Sequence, residues 1–199
     1  MSGDLFAPTL GGPPVLLVRG WAARLPFELV DRTIRWSQYS VTMYGQHLPR
    51  PRLECWYNDN PARTYTFGGG EPIQPLPMDR VVARVRLRLW EQGYGDFDSC
   101  FANRYDSGAH SISWHADDDA WIGPVIASVS FGGSRLFKLK PKRGHKGQPT
   151  DYELHHGDLL IMQPGCQERW LHCVPKTKRH RQPRINLTYR TTNGRPDAR

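Results

Sequence analysis

Along the second half of the chain, apolar residues fall in short runs, alternating with polar ones or β-branched, that are broken by Gly, Pro, Asp and Asn. This is the pattern of antiparallel strands. It predicts strands over 100–105, 111–117, 124–131, 134–140, 151–155, 158–163, 169–174 and 184–191. Eight strands at this spacing suit a two-sheet jelly roll. Before Gly95 the period changes: Met78, Val82, Val85 and Leu89 form an apolar stripe with Pro77 ahead of it and Gly93 behind, which predicts a helix over 78–92. Phe27, Val30 and Ile34 after Pro26 predict a second helix over 26–40. The proline-rich stretch 49–77, with Gly68-Gly69-Gly70, reads as loops and short strands. The fold class is therefore mainly β with flanking helices.

Composition narrows the picture. A chain of 199 residues suits one domain with a sizeable core. Lys and Arg total 27 against 19 Asp and Glu, a formal charge of +8, which favours polyanionic partners and nucleic acid first among them. Apolar runs such as Val15–Val18 and Leu159–Met162 fall far short of the ~20 residues that span a bilayer. The start, Met-Ser-Gly-Asp, shows no secretory pattern, so an intracellular location is expected, cytoplasmic in a bacterium and open to the nucleus in a eukaryote. Cys55, Cys100, Cys166 and Cys173 lack Cys-x-x-Cys spacing and read as reduced core thiols. Arg80, Arg84 and Arg88, four apart, read as a solvated helix face, with phosphate contact as the alternative.

His115-Ala-Asp117 sets an imidazole and a carboxylate two apart, on one face of a strand, where both can reach one metal. The same spacing recurs at His156-Gly-Asp158, but Gly-Asp between apolar runs is turn chemistry and reads as a hairpin corner. A triad of two His and one carboxylate needs a distant second His. His172, in the predicted strand Arg169-Trp-Leu-His-Cys-Val, is available, whereas His180 sits in a basic stretch. Such a triad leaves positions open for ferrous iron, an oxoacid and dioxygen. In Arg184-Ile-Asn-Leu-Thr-Tyr-Arg190, Arg184, Asn186, Thr188 and Arg190 share one face. That face is either a half-exposed edge or a receptor for a small dicarboxylate. Asn103 and Tyr105 show the same spacing.

These segments together resemble the AlkB family of Fe(II)- and 2-oxoglutarate-dependent dioxygenases. The likeness is carried by Asn103-Arg-Tyr105, Trp114-His-Ala-Asp-Asp-Asp119, Ile126-Ala-Ser-Val-Ser-Phe-Gly132, His156-Gly-Asp-Leu-Leu-Ile-Met162, His172-Cys-Val-Pro-Lys176 and Arg184-Ile-Asn-Leu-Thr-Tyr-Arg190. It covers roughly residues 41 to 192 and is greater to the members that repair nucleic acid than to those acting on protein. The resemblance implies a cupin-like double-stranded β-helix over 96–199. Residues 1–95 would supply N-terminal helices and a nucleotide-recognition lid packed on that core. It implies that His115, Asp117 and His172 hold Fe(II), that Arg184 takes the distal carboxylate of 2-oxoglutarate with Tyr105 and Asn186, and that Arg190 and Asn103 lie toward the oxoacid end.

The activity implied is hydroxylation of N-methyl carbons of 1-methyladenine and 3-methylcytosine in DNA, with release of formaldehyde, succinate and CO2, by a monomer without a membrane partner. A flipped base would stack on Phe67, with Tyr65 and Asp119 at its polar edge. Asp119 is shorter than the Glu many relatives carry. Tyr44 resembles a wedge position of duplex-acting relatives. The basic runs 138–146 and 176–181, the second with Lys178 and Arg179, are candidates for phosphate contact or plain solvated loops. Competing readings are RNA-directed demethylation, a nucleic-acid-binding module with a vestigial metal site, and a zinc hydrolase.

Overall fold

The computed structural model describes residues 5–6, 11–43, 45–66, 72–179 and 182–192. In chain order the elements are β1 (Leu5–Phe6), β2 (Val15–Val18), α1 (Phe27–Thr33), β3 (Ser40–Met43), β4 (Gln46–Pro49), β5 (Leu53–Asn58) and α2 (Arg80–Glu91). There follow β6 (Ser99–Tyr105), β7 (Ile112–His115), β8 (Ile122–Gly132), β9 (Arg135–Pro141), β10 (Thr150–Leu154), β11 (Leu159–Met162), α3 (Cys166–Arg169), β12 (Trp170–Val174) and β13 (Arg184–Thr192). The strands form a large sheet in the order β1-β2-β11-β8-β13-β6-β5, a small sheet in the order β10-β9-β12-β7, and the hairpin β3-β4. Every ladder is antiparallel.

Two apolar layers explain this arrangement. One packs Val30 and Ile34 of the first helical region and Val82, Val85 and Leu89 of α2 onto Val129, Phe131, Ile185, Leu187 and Tyr189 of the large sheet. The other lies between the sheets, with Leu17, Ile126, Leu160 and Met162 against Phe137, Leu139, Trp170 and Val174. β13 sits between β8 and β6 and is buried along most of its length, so it is a central strand rather than a half-exposed edge. Its alternation sends Ile185, Leu187 and Tyr189 to the helices. The opposite face, with Arg184, Asn186, Thr188 and Arg190, is left to the space between the sheets.

All eight predicted strands are present, and the jelly roll is formed. α2 matches its prediction except at the start, where Asp79 rather than Pro77 sets the boundary. The Asp79 carboxylate accepts from the backbone N–H of Val81 and Val82, both at 3.0 Å, and from the Tyr57 hydroxyl. α1 stops at Thr33, well short of residue 40. Trp36 folds back to donate its Nε1–H to Asp31, and Ser37 leaves the helical path to pair with Glu54. The first half also contributes more sheet than expected, since β2 and β5 both join the large one. A four-residue apolar run such as Val15–Val18 carries no period that distinguishes strand from buried helix.

His156-Gly157-Asp158 is a corner but not a hairpin, because it carries the chain from β10 in the small sheet to β11 in the large one. Asp158 is buried and accepts from Arg19 Nη1 at 2.6 Å and from the backbone N–H of Gly20 and His155. The His156 ring accepts from Gly132 N–H and meets Ala23 O. The four cysteines are free and buried. Arg80, Arg84 and Arg88 are exposed, as a solvated face should be, with Arg88 lying over the Trp21 ring at 4.3 Å. No helix among the described residues is long and apolar enough to cross a membrane.

Gly157 tests the corner. Its φ is +82°, and a Cβ there would lie 2.4 Å from the backbone nitrogen of Ala23. Gly157→Ala should cost about 2–4 kcal/mol, the sum of left-handed strain and a backbone clash. Thermal unfolding measures it, and an unchanged midpoint would show that the corner yields.

Candidate active site

β12 and β7 pair so that His172 faces His115 across the ladder, and Asp117 follows two residues beyond the end of the strand. The pairing brings together side chains 57 positions apart: one nitrogen from each imidazole and one oxygen of Asp117 lie within 4.8 Å of one another. His115 Nε2 stands 3.8 Å from Asp117 Oδ1, and His172 Nε2 stands 3.9 Å from Oδ2. His115 Nδ1 meets the carbonyl of Ser113 at 2.7 Å. A carbonyl only accepts, so Nδ1 carries the proton and Nε2 presents its lone pair to the centre.

The protonation states suit ligation. Burial, with His115 beside it, pulls His172 down to about 3, so its imidazole is neutral at physiological pH. Burial alone would raise the carboxyl of Asp117, but Arg190 and the two histidines outweigh it and hold the group well below the usual carboxylate range. Arg190 Nη2 donates to Asp117 Oδ2 at 2.6 Å, and Asp117 N–H donates to Gln167 Oε1 at 2.9 Å. Two imidazoles and one ionised carboxylate are a donor set that fits ferrous iron with open positions.

Beyond this cluster, Arg184 is 1% exposed and has no acid partner among the described residues. Nη2 donates to Ser130 Oγ at 2.8 Å, while Nε and Nη1 have no hydrogen-bond partner. Burial pulls the guanidinium down to about 10 against the opposing effect of Tyr105. A buried cation with two unspent donors fits a carboxylate that arrives from outside the chain. Tyr105 stacks beside it, 5.5 Å from ring centre to guanidinium carbon. Asn186 is placed differently from the expectation of a free donor. Its Nδ2 already serves Ser128 Oγ at 2.7 Å and Val129 O at 3.2 Å, and its Oδ1 accepts from Thr188.

One cavity is lined by His115, Asp117, Arg190, Asn103, Tyr65 and Trp121. Tyr65 packs edge-on to Trp121 at 5.5 Å and Phe101 at 6.0 Å. Asp119 is exposed on the loop after Asp117. Phe67 and Tyr44 lie outside the described residues. So do His180 and Arg181, whereas Lys178 and Arg179 are exposed beyond β12. In the other basic run, Lys138 pairs with Asp151 and Lys142 with Asp118, each at 2.7 Å, and Lys140 lies over Trp114. Arg50, Arg52 and Glu54 line the same cavity, in the stretch that reads as loops and short strands, and none of them is singled out there by the sequence. The signal available was a lone acid inside the apolar run Leu53-Glu-Cys-Trp-Tyr57, just after two arginines.

The profile of the 2OG-Fe(II) oxygenase superfamily matches residues 20–190. The chain belongs to that superfamily and, within it, to the AlkB family. Alpha-ketoglutarate-dependent dioxygenase alkB homolog 3 of Bos taurus is 36% identical over 183 residues, covering 87% of this chain and 62% of the relative. DNA oxidative demethylase ALKBH2 of Mus musculus is 38% identical over 158 residues, covering 75% of this chain and 65% of the relative. The chain thus spans somewhat under two thirds of these relatives' length. A solved structure of OsALKBH1 superimposes with a TM-score of 0.56 at 18% identity, covering 94% of this chain and all of the other, and bears on the fold.

The donor set is testable by metal titration. Calorimetry with Mn(II) should show one site, weakened more than tenfold by His115→Ala, Asp117→Ala or His172→Ala. His156→Ala should leave it unchanged, since both of its ring nitrogens are engaged at the corner.

Proposed function

We propose that this chain is an Fe(II)- and 2-oxoglutarate-dependent oxidative demethylase of N-alkylated bases in nucleic acid, with methylated DNA as its first substrate. The observation that carries the reading is the pairing of two features on one sheet face. Arg190 of β13 holds the carboxylate of a His-Asp-His set, and Arg184, on the same face, is buried with donors to spare. Relatives named as a DNA oxidative demethylase support the choice of substrate, as does the charge of +8.

In this reading His115, Asp117 and His172 hold the iron, which with 2-oxoglutarate and dioxygen supplies the oxidation that turns an N-methyl group into an N-hydroxymethyl group, lost as formaldehyde, while the cosubstrate leaves as succinate and CO2. Arg184 and Tyr105 take the distal carboxylate. Asn103 and Arg190 orient the oxoacid end. Arg190 also keeps Asp117 ionised and aimed at the centre, so the ligand geometry is set before any substrate binds. Tyr65 and Trp121, edge-on to each other, line the cavity with aromatic surface against which an extruded base is held, and Asp119 offers a negative edge to a cationic lesion. The hairpin β3-β4 and the segment through Tyr65 make the lid, with Tyr44 and Phe67 as its contacts to the strand and the base.

The test is mass spectrometry of oligonucleotides that each bear one methylated base, as DNA and RNA, single-stranded and paired. Conversion of 1-methyladenine or 3-methylcytosine to the plain base, dependent on 2-oxoglutarate and air, is expected. Consumption of 2-oxoglutarate with no conversion of any nucleic acid would move the substrate elsewhere. Arg184→Ala should raise the 2-oxoglutarate requirement at least thirtyfold, from roughly 2–5 kcal/mol for a buried cation-carboxylate contact, with Arg184→Lys restoring part. An unchanged requirement would reject Arg184 as the receptor.

Lys178 and Arg179, exposed beyond His172, are assigned to phosphate. Neutralising both should weaken methylated and unmethylated strands alike and flatten the log-log salt slope by about 1.4 units on single strands and about 1.8 on duplex. A slope equal to that of the wild type would leave them as solvated loop.

A further inference from the structure

We propose that Arg52 and Glu54 are positioning residues that lock the side-chain amide of Asn103, so that its NH2 group and not its carbonyl faces the bound cosubstrate. The inference rests on the 2-oxoglutarate reading above and adds Arg52 and Glu54, which that reading did not use. Asn103 lines the cavity shared with His115, Asp117 and Arg190. Its Oδ1 accepts from Arg52 Nε at 2.9 Å. A guanidinium has donors only, so the amide cannot turn over without setting N–H against N–H. That leaves Nδ2, which has no acceptor among the described residues, as the branch offered to the cavity.

The arrangement is needed because of where Glu54 stands. In the β5-β6 ladder Glu54 is the direct partner of Asn103, and the two lie on one face of the sheet. A carboxylate opposite an amide attracts its NH2 group. Left alone, Glu54 would draw Nδ2 to itself and turn the carbonyl of Asn103 toward the cavity, where it would repel the oxygens of an oxoacid. Arg52 prevents this by occupying the carboxylate first. Glu54 Oε1 accepts from Arg52 Nη2 at 2.7 Å and from Nε at 2.9 Å, the same N–H that is shared with Asn103. Glu54 Oε2 takes Arg50 Nη1 at 3.1 Å.

All three charged groups are buried, Glu54 completely and Arg50 and Arg52 to 3% and 6% exposure. Burying two cations and an anion is not a route to stability, since an apolar trio would do as well or better. The cluster acts through geometry: Arg50 holds Glu54, Glu54 holds Arg52, and Arg52 sets the amide. Arg52 Nη1 also reaches the carbonyl of Ser111, which ties the same guanidinium to the approach of β7 and His115.

The experiment is calorimetric binding of 2-oxoglutarate to the Mn(II)-loaded protein without oxygen, so that no turnover enters. Asn103→Ala should weaken binding about tenfold, the worth of one hydrogen bond to a charged group. Arg52→Met should weaken it about as much, yet cost less than twofold further when made in the Asn103→Ala background, because both changes remove one interaction. Asn103→Asp keeps an oxygen for Arg52 and turns the other on the cosubstrate, so it should bind at least as weakly as Asn103→Ala. That variant leaves the charged trio intact and decides the matter if Arg52→Met does not fold.

Losses that multiply in the double variant would reduce Arg52 to a structural support and overturn the proposal. So would Asn103→Asp binding as the wild type does. Arg184→Ala serves as the control. If it abolishes binding while the Arg52 and Asn103 variants match the wild type, only this inference falls. If the wild type itself takes up no 2-oxoglutarate, the cosubstrate reading falls and takes this one with it.

Discussion

The ion pair between Asp117 and Arg190 is the contact on which the site depends. It joins the loop after β7 of the small sheet to β13, an interior strand of the large one, at 2.6 Å. A carboxylate set between the sheets needs a partner or it takes up a proton. With Arg190 on its Oδ2, Asp117 stays ionised, and its two oxygens face the imidazoles, Oδ1 toward His115 and Oδ2 toward His172. The same contact removes Arg190 from the pool of free cations, so of the two arginines on that face only Arg184 is left without an acid. The asymmetry of the site, metal donors at one end and a carboxylate receptor at the other, follows from which of them Asp117 reaches.

The surrounding architecture serves to keep that polar face of β13 dry and in register. Its other face is committed to the helices through Ile185, Leu187 and Tyr189, so the strand cannot slip by one residue without exposing the core to charge and the charge to the core. The small sheet then closes over the polar side, and its own apolar layer, Phe137, Leu139, Trp170 and Val174, sets the spacing at which His172 meets His115. The corner at Gly157 is the joint between the two sheets, and Asp158 fixes it by binding three donors at once. Charges away from the site follow the same rule of pairing, as Lys138 with Asp151 and Lys142 with Asp118 show.

Much of this was legible along the chain because it is local. Short runs, alternating or continuously apolar, bounded by Gly, Pro, Asp and Asn mark strands wherever they lie, and all eight strands of the second half were readable on that basis. The His-x-Asp pair and the polar face of 184–190 were equally visible, the second because its spacing places side chains on one side of a strand before any tertiary contact forms, whereas Asp117 follows the end of β7 instead of extending it. Local signals failed where neighbours decided. α1 ends early because Ser37 is claimed by Glu54. Val15–Val18 is a strand because β11 offers it an open edge. Glu54 drew no notice as a site residue because its two arginines and its asparagine partner meet it only in the folded state.

The sequence by itself determined the inventory: which side chains carry metal-ligand and carboxylate-binding chemistry, which face of each strand they share, and that a jelly roll would present them. Only the tertiary structure decided their pairing. It carried one His-x-Asp pair to a second imidazole and set the other at a corner between the sheets. It assigned Arg190 to Asp117, left Arg184 open, and engaged both amide branches of Asn186 within the protein. The reason is physical. Alternation fixes direction relative to one strand over a few residues, whereas the cost of an unpaired charge depends on every group within a few ångströms, drawn from any part of the chain.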